Sequence, residues 1–171
     1  LNDLHSEDAE KGSINAMAEL KAGDKAPQFT LPRDGGGSVS LAEHSGKKVV
    51  LYFYPKDNTE GCTIEAIDFT RLLPEFEAAG AVVIGMSPDS VKKHDNFCKK
   101  HSLGVILASD ESTETLAAYG VWAEKSMYGK KYMGVERTTV LIGADGVILK
   151  VWPKVKVAGH AEEVLEAVKS L

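Results

Sequence analysis

The stretch Val49-Val50-Leu51-Tyr52-Phe53-Tyr54-Pro55-Lys56-Asp57-Asn58-Thr59-Glu60-Gly61-Cys62-Thr63 decides how this chain is read. Its first six residues are apolar or aromatic throughout, the pattern of a strand buried on both faces. A polar run follows, and a helical pattern starts near Cys62. The sequence thus sets a thiol at a strand–loop–helix junction, with the Thr59 hydroxyl three positions ahead of it. Backbone N–H groups at a helix start have no partners within the helix, and the macrodipole adds partial positive charge there. A thiol in that position ionises more easily, and the thiolate is the nucleophile. Cys62 therefore reads as a reactive cysteine. Free cysteines are also commonly inert and buried, but the polar loop before Cys62 argues against that alternative.

Outward from this junction, residues 25–31 and 38–41 flank the turn signal Gly35-Gly36-Gly37 and predict a short N-terminal β-hairpin at an edge. Residues 62–79 carry Ile64, Ile67, Phe69, Leu72, Leu73 and Phe76 at roughly helical spacing. Pro74 is expected to kink or end that helix unless a turn restarts there. Residues 81–86 read as a second buried strand, and Ser87-Pro88-Asp89-Ser90 as the cap of a helix running to about His101. Residues 105–108 predict a short strand, 113–119 a short helix, and 124–134 a polar loop containing Lys125, Lys130 and Lys131. Residues 137–142 and 147–152 flank Gly143-Ala144-Asp145-Gly146, a strong hairpin signal, and 160–171 close the chain as an amphipathic helix. Strand–helix alternation with a terminal hairpin predicts an α/β domain with a central mixed β-sheet flanked by helices.

Composition narrows the function classes. The 171 residues fit one domain with a substantial core. A formal charge of −5 gives no electrostatic reason to bind nucleic acid or an anionic membrane. The longest apolar runs are strand-sized, far below the roughly 20 residues of a membrane span. Two cysteines do not make a secreted disulfide scaffold, and they suit a reducing compartment, where such residues are catalytic, redox-active or metal-binding. With residues 1–20 polar, acidic and lacking an apolar signal core, a cytoplasmic location is expected. Residues 1–16 read either as a non-native addition ahead of Met17 or as a natural polar extension, which leaves 17–171 as the domain. His94, Cys98 and His101 share one helical face, yet three ligands at helical spacing are a weak metal signal without a matching second group. Trp122, Trp152, Tyr128 and Tyr132 read as packing or loop residues.

Pro55, Thr59 and Cys62 stand as P-x-x-x-T-x-x-C, which resembles the active-site motif of the peroxiredoxins, thiol-dependent peroxidases on a thioredoxin-like fold. The wider text Tyr52-Phe53-Tyr54-Pro55-Lys56-Asp57-Asn58-Thr59 and Gly61-Cys62-Thr63 is similar to the peroxiredoxin Q branch, also called bacterioferritin comigratory protein. So are Gly85-Met86-Ser87-Pro88-Asp89-Ser90, Glu136-Arg137-Thr138-Thr139 and Gly159-His160-Ala161-Glu162-Glu163-Val164-Leu165, in the family's order. There are two departures. Glu60 stands where the branch often has Pro, and Ile67 where it often has a second cysteine. Some members place the resolving cysteine on the next helix, which Cys98 would match, and others have none.

The resemblance implies a monomer that reduces hydrogen peroxide and organic hydroperoxides, with thioredoxin or a similar dithiol protein as reductant. It needs no metal, haem or flavin, because sulfur carries the redox change. Cys62 would attack the peroxide and become a sulfenic acid, which condenses with a thiol to a disulfide; Cys98 is the internal candidate, or else a core cysteine. Thr59 would bridge thiolate and peroxide as acceptor and donor, and Gly61 and Cys62 would offer backbone N–H groups. Pro55 would hold the loop and shield the site from water. Arg137 would supply a fixed cation with a planar fork of donors, where the bland alternative is a surface ion pair at a strand end. Glu65 would either orient Arg137 or simply favour the helix N-terminus. A thioredoxin-like disulfide reductase fits less well, since Ile64 and Glu65 follow Cys62-Thr63 where Cys-x-x-Cys is typical. A redox sensor or binding module also needs an accessible, easily ionised thiol and remains an open alternative.

Overall fold

The computed structural model describes residues 20–171, so the readings of residues 1–16 and of Met17 lie outside the described residues. Five strands form the central sheet: β3 (Lys48–Phe53), β4 (Ala81–Ser87), β5 (Ile106–Ser109), β8 (Thr138–Ile142) and β9 (Ile148–Trp152), in the order β5-β4-β3-β8-β9. β3, β4 and β5 run parallel, while β8 pairs antiparallel with both β3 and β9. The sheet is therefore mixed, as the sequence predicts. The parallel strands are joined by α1 (Glu60–Ala78) and α2 (Val91–His101), since a parallel pair needs a long crossover. α3 (Glu114–Ala118) is short, and α4 (His160–Lys169) packs on α1. The expected N-terminal hairpin is β1 (Thr30–Pro32) with β2 (Ser38–Ser40). Beyond it, Asp34 N–H donates to the Leu107 carbonyl at 3.0 Å, and Leu107 N–H donates to Asp34 Oδ1 at 2.8 Å, which satisfies the outer edge of β5.

Alternation along β3 sorts its side chains into two cores. Val50, Tyr52 and Tyr54 face a helix layer containing Phe69, Phe76, Phe97 and Val164. Val49, Leu51 and Phe53 face Phe29, Leu116 and Tyr119 on the other side. Both faces are covered, which explains the unbroken apolar run. Gly85 stands opposite Tyr52 in the β3–β4 register, and a Cβ there would lie 2.7 Å from Tyr52 Cζ. The missing side chain is what admits the Tyr52 ring, which stacks on Phe69 with centroids 4.7 Å apart.

Three expectations need correction. α1 buries Cys62, Glu65, Ala66, Phe69, Leu72 and Phe76, whereas Ile64 and Ile67 are 45% and 41% exposed. The inward face therefore starts with a thiol and a carboxyl, which an apolar periodicity passes over. Of the two outcomes expected at Pro74, the end is excluded, since α1 runs on to Ala78; the buried Phe69, Leu72 and Phe76 anchor it on both sides of the lost N–H. Finally, residues 124–134 are not a loop. They belong to a hairpin, β6 (Trp122–Met127) with β7 (Lys130–Val135). Its two-residue turn, Tyr128-Gly129, has positive φ at both positions (54° and 80°), the geometry that matches strand twist in tight hairpins. With most of its side chains in solvent, the ribbon leaves little hydrophobic signature.

The two faces of α1 should separate in stability. Phe69→Ala is expected to cost about 3–5 kcal/mol, from lost burial and the cavity left behind. Ile67→Ala should change stability by only about 0.5 kcal/mol, as at other exposed positions. Urea midpoints of the two variants check this, and equal losses would contradict the assigned inward face.

Candidate active site

β3 ends at Phe53, and a short loop leads to Thr59, whose extended backbone caps α1 (φ −85°, ψ 157°). Asn58 turns that loop with φ 65°, a left-handed conformation that Asn tolerates better than most residues. The first helical bond is Thr63 N–H to the Thr59 carbonyl at 2.9 Å, so the N–H groups of Glu60, Gly61 and Cys62 have no acceptor within the helix. Cys62 therefore sits in the first turn, the residue only 1% exposed. Among the described residues both cysteines are free thiols.

Arg137 reaches this turn from the opposite direction. It directly precedes β8, whose Thr138 pairs with Phe53 at the end of β3. The guanidinium then spans two groups of α1: Nη2 donates to Cys62 Sγ at 3.3 Å, and Nη1 donates to Glu65 Oε1 at 2.6 Å. This is the contact that the orienting reading of Glu65 expects, made from a position still close to the helix N-terminus. The side chain of Arg137 is 18% exposed, so its pairing is not that of a solvated surface ion pair. Burial disfavours its charge, but Glu65 and Cys62 more than offset this and raise its pKa above the ordinary range. For Glu65, burial dominates over Arg137 and pushes the carboxyl from 4.5 to about 7.

Gly61 leaves the room this requires. A Cβ at residue 61 would lie 3.3 Å from Arg137 Nη2 and 3.9 Å from Val157, tighter than most side-chain contacts on the arginine side. Pro55 is half-buried at the start of the loop. Thr59 differs from expectation: its Oγ1 donates to the Lys56 carbonyl at 2.8 Å, which leaves only its lone pairs for an incoming group. Thr63 Oγ1 donates back to the Thr59 carbonyl at 2.8 Å.

Cys98 lies on α2, half-buried, beside the core cluster that contains Cys62. Burial, together with Asp34, Asp57 and Asp95, pushes its thiol up to about 12. The structure does not gather His94, Cys98 and His101 around one point. His94 turns to Asp57 at 2.7 Å, and His101 packs edge-on against Phe97. The buried Asp57–His94 pair is the feature that sequence reading missed. Both residues were visible, but their contact spans 37 positions and carries no local signal. A cavity of about 680 Å³ lies elsewhere, lined by Tyr119, Val121, Thr138, Val140, Leu149 and Val151, and includes neither cysteine. Volume and chemistry are separated in this protein, as suits a small reactant met by a few convergent groups.

Comparison with known proteins supplies the family. Residues 22–151 match the model of the AhpC/TSA family. Peroxiredoxin Bcp of Xanthomonas campestris is 50% identical over 158 residues, covering 91% of this chain and 96% of that protein. Peroxiredoxin Bcp of Bacillus subtilis is 45% identical over 152 residues, covering 89% and 97% respectively. Among solved structures, Xanthomonas campestris peroxiredoxin Q superposes with a TM-score of 0.80 at 49% identity, over 83% of this chain and 90% of that one. A site of buried thiol, cation and carboxyl on a thioredoxin-like sheet thus has its place: the chain belongs to the AhpC/TSA family, in its peroxiredoxin Q (Bcp) branch of thiol peroxidases.

Proposed function

We propose that this peroxidase reduces hydrogen peroxide and small organic hydroperoxides through Cys62, that Cys98 resolves the oxidised product within the same chain, and that a thioredoxin-like dithiol protein reduces the resulting disulfide. The observation that carries the reading is the Arg137 guanidinium bonded to Cys62 Sγ at 3.3 Å and fixed from behind by Glu65. A held cation stabilises negative charge on sulfur and, as the reaction proceeds, on the departing oxygen, where preorganised donors act most strongly. Cys62 sulfur attacks one peroxide oxygen, the O–O bond breaks, and the second oxygen leaves as alkoxide or hydroxide and takes up a proton. Thr59 Oγ1, its own proton engaged with Lys56, accepts from the hydroperoxide O–H, and the free N–H groups of Gly61 and Cys62 donate.

The product is a Cys62 sulfenic acid. Cys98 then displaces water from it: the S–S bond forms, the S–O bond breaks, and two electrons from an external dithiol restore both thiols. A related Xanthomonas campestris bacterioferritin comigratory protein was solved in work on its alkyl peroxide reduction, which supports extending the substrates beyond hydrogen peroxide. Serine mutants of two cysteines of Xanthomonas campestris peroxiredoxin Q, 36 positions apart as Cys62 and Cys98 are here, support a paired role. In the reduced fold Cys98 is a neutral thiol, so resolution requires it to leave its surroundings of Asp34 and Asp57. The cycle needs both sulfurs reduced at its start, which favours a reducing compartment such as the cytoplasm.

One equivalent of hydrogen peroxide added to reduced protein should remove two mass units and both free thiols without dimerisation. A gain of one oxygen with Cys98 still free would replace the two-cysteine cycle with a one-cysteine one, and no reaction would remove the peroxidase reading from Cys62. Cys98→Ser should keep the first oxidation but lose thioredoxin-supported turnover. Arg137→Lys, which loses the planar fork, should lower peroxide turnover by about 10²–10³ in steady-state assays, as loss of a preorganised donor does elsewhere. Glu65 gives a prediction about pH. Its folded pKa of about 7 lies above the 4.5 expected when unfolded, so the folded state holds this proton more tightly. Stability from this group is present below pH 4.5 and is lost as pH rises towards 7. Relative to Glu65→Gln, the wild type should lose stability between pH 4.5 and 7 in denaturant titrations. The opposite trend would mean that the short Arg137 contact outweighs the burial of the carboxyl.

A further inference from the structure

Several of the buried polar groups that the peroxidase chemistry leaves unused meet around Asp57. Tyr54 Oη donates to Asp57 Oδ1 at 2.6 Å, and His94 Nδ1 lies 2.7 Å from Asp57 Oδ2. The other ring nitrogen, Nε2, lies 3.0 Å from the Ala108 carbonyl. A neutral imidazole has one N–H and one acceptor nitrogen. Here both nitrogens face oxygens, an arrangement that suits a doubly protonated, cationic ring paired with the Asp57 carboxylate. Burial opposes that charge, but Asp57, the Ala108 carbonyl and Asp89 more than compensate and raise the His94 pKa. His94 is fully buried and Asp57 nearly so. The pair is also braced: Asp57 N–H donates to Asp89 Oδ2 at 2.8 Å, and Ser87 Oγ donates to the same oxygen at 2.8 Å.

The ends of this pair lie on the two cysteine-bearing segments that the proposed disulfide step has to rearrange. Asp57 belongs to the loop that delivers Cys62, next to the left-handed Asn58. His94 stands one helical turn before Cys98. α2 buries only His94 and Phe97, against six residues for α1, so the ion pair is the buried polar anchor of the Cys98 helix, beside Phe97 and an exposed bond from Gly35 N–H to Asp95 Oδ1 at 2.7 Å. We propose that the His94–Asp57 ion pair is a latch that holds the Cys98 helix against the Cys62 loop, and that its release governs how fast Cys98 reaches oxidised Cys62. This makes His94 and Asp57 positioning residues for the resolving step, and it rests on the resolving role of Cys98 proposed above. Segments with few buried contacts are those that open below the global unfolding cost, and α2 without its latch is such a segment.

The test separates the two chemical steps. Reduced protein is mixed with one equivalent of hydrogen peroxide, quenched with an alkylating agent at successive times, and read by intact mass. In Asp57→Asn and in His94→Gln the disulfide should form about tenfold faster from the sulfenic acid, equivalent to ~1.4 kcal/mol off the opening cost. The Asp57→Asn/His94→Gln double variant should add little beyond either single change, as for partners in one contact. Val39→Ala, buried on the opposite face of the sheet, should lower thermal stability without speeding resolution. Unchanged or slower disulfide formation in both latch variants would overturn the proposal, as would equal acceleration in Val39→Ala. Should the latch variants fail to fold, ¹⁵N spectra of wild-type His94 at pH 7 decide. Two protonated ring nitrogens are expected in the reduced protein and their loss in the disulfide form; persistence of both in the disulfide form would overturn the latch. If wild-type protein forms no internal disulfide, the resolving role itself fails and the latch falls with it. A normal disulfide with unaltered rates in the variants would remove the latch alone.

Discussion

A guanidinium held between a buried carboxyl and a buried sulfur is the constraint around which the rest of this molecule is arranged. Removing charge from water is costly, and an interior ion pair persists only when its geometry is good and its remaining groups are satisfied. Glu65 and Cys62 lie three residues apart on one face of α1, so one helical turn presents both to the same cation. β8 must then pair antiparallel with β3 to bring Arg137 to the start of that helix. Gly61, lacking a side chain, lets the guanidinium close on the sulfur without the few tenths of an ångström of displacement that a Cβ would impose. Sheet order, helix phase and a single glycine thus serve one contact.

The two cysteine-bearing helices are held differently. α1 is anchored along its length by aromatic residues that stack on Tyr52 and on each other, with Phe69 centroids 4.7 Å from Tyr52 and 5.8 Å from Phe76. α2 has an exposed outer face, a Ser90 cap that accepts from Lys93 N–H, and a left-handed Ser102 at its end. Its buried attachment is Phe97 and the His94–Asp57 pair, with Asp95 accepting from Gly35 N–H at the surface. The scaffold therefore keeps Cys62 on an element packed along its length and Cys98 on a more lightly fastened one, the division of stability that the proposed two-cysteine cycle would use.

Much of this was legible in the sequence, for identifiable reasons. Strands buried on both faces leave unbroken apolar runs, so β3 and β4 declared themselves, and the glycine-bounded turn before β9 fixed the terminal hairpin. The inward face of α1 was misread because its first turn is lined by Cys62 and Glu65, and the apolar Ile64 and Ile67 point outward. The β6–β7 ribbon was missed because a strand pair in solvent has no core to encode. Cys62, Glu65 and Arg137 could be nominated from motif and chemistry, but only the fold shows the guanidinium touching both α1 groups at once. Asp57 and His94 could not be paired from sequence, since nothing in either segment refers to the other.

Arg137 enters the site from the position just ahead of β8, 75 residues downstream of Cys62. During synthesis at about 5–20 residues per second, Cys62 precedes its cation by several seconds or more. Through that interval the helix start and the polar loop exist without the guanidinium, and the thiol lacks the partner that equips it for peroxide. If Cys62 is the attacking sulfur, as proposed above, its full set of partners is assembled only with the pairing of β8 onto β3, so the emerging polypeptide carries the cysteine without its site and only the finished domain carries both.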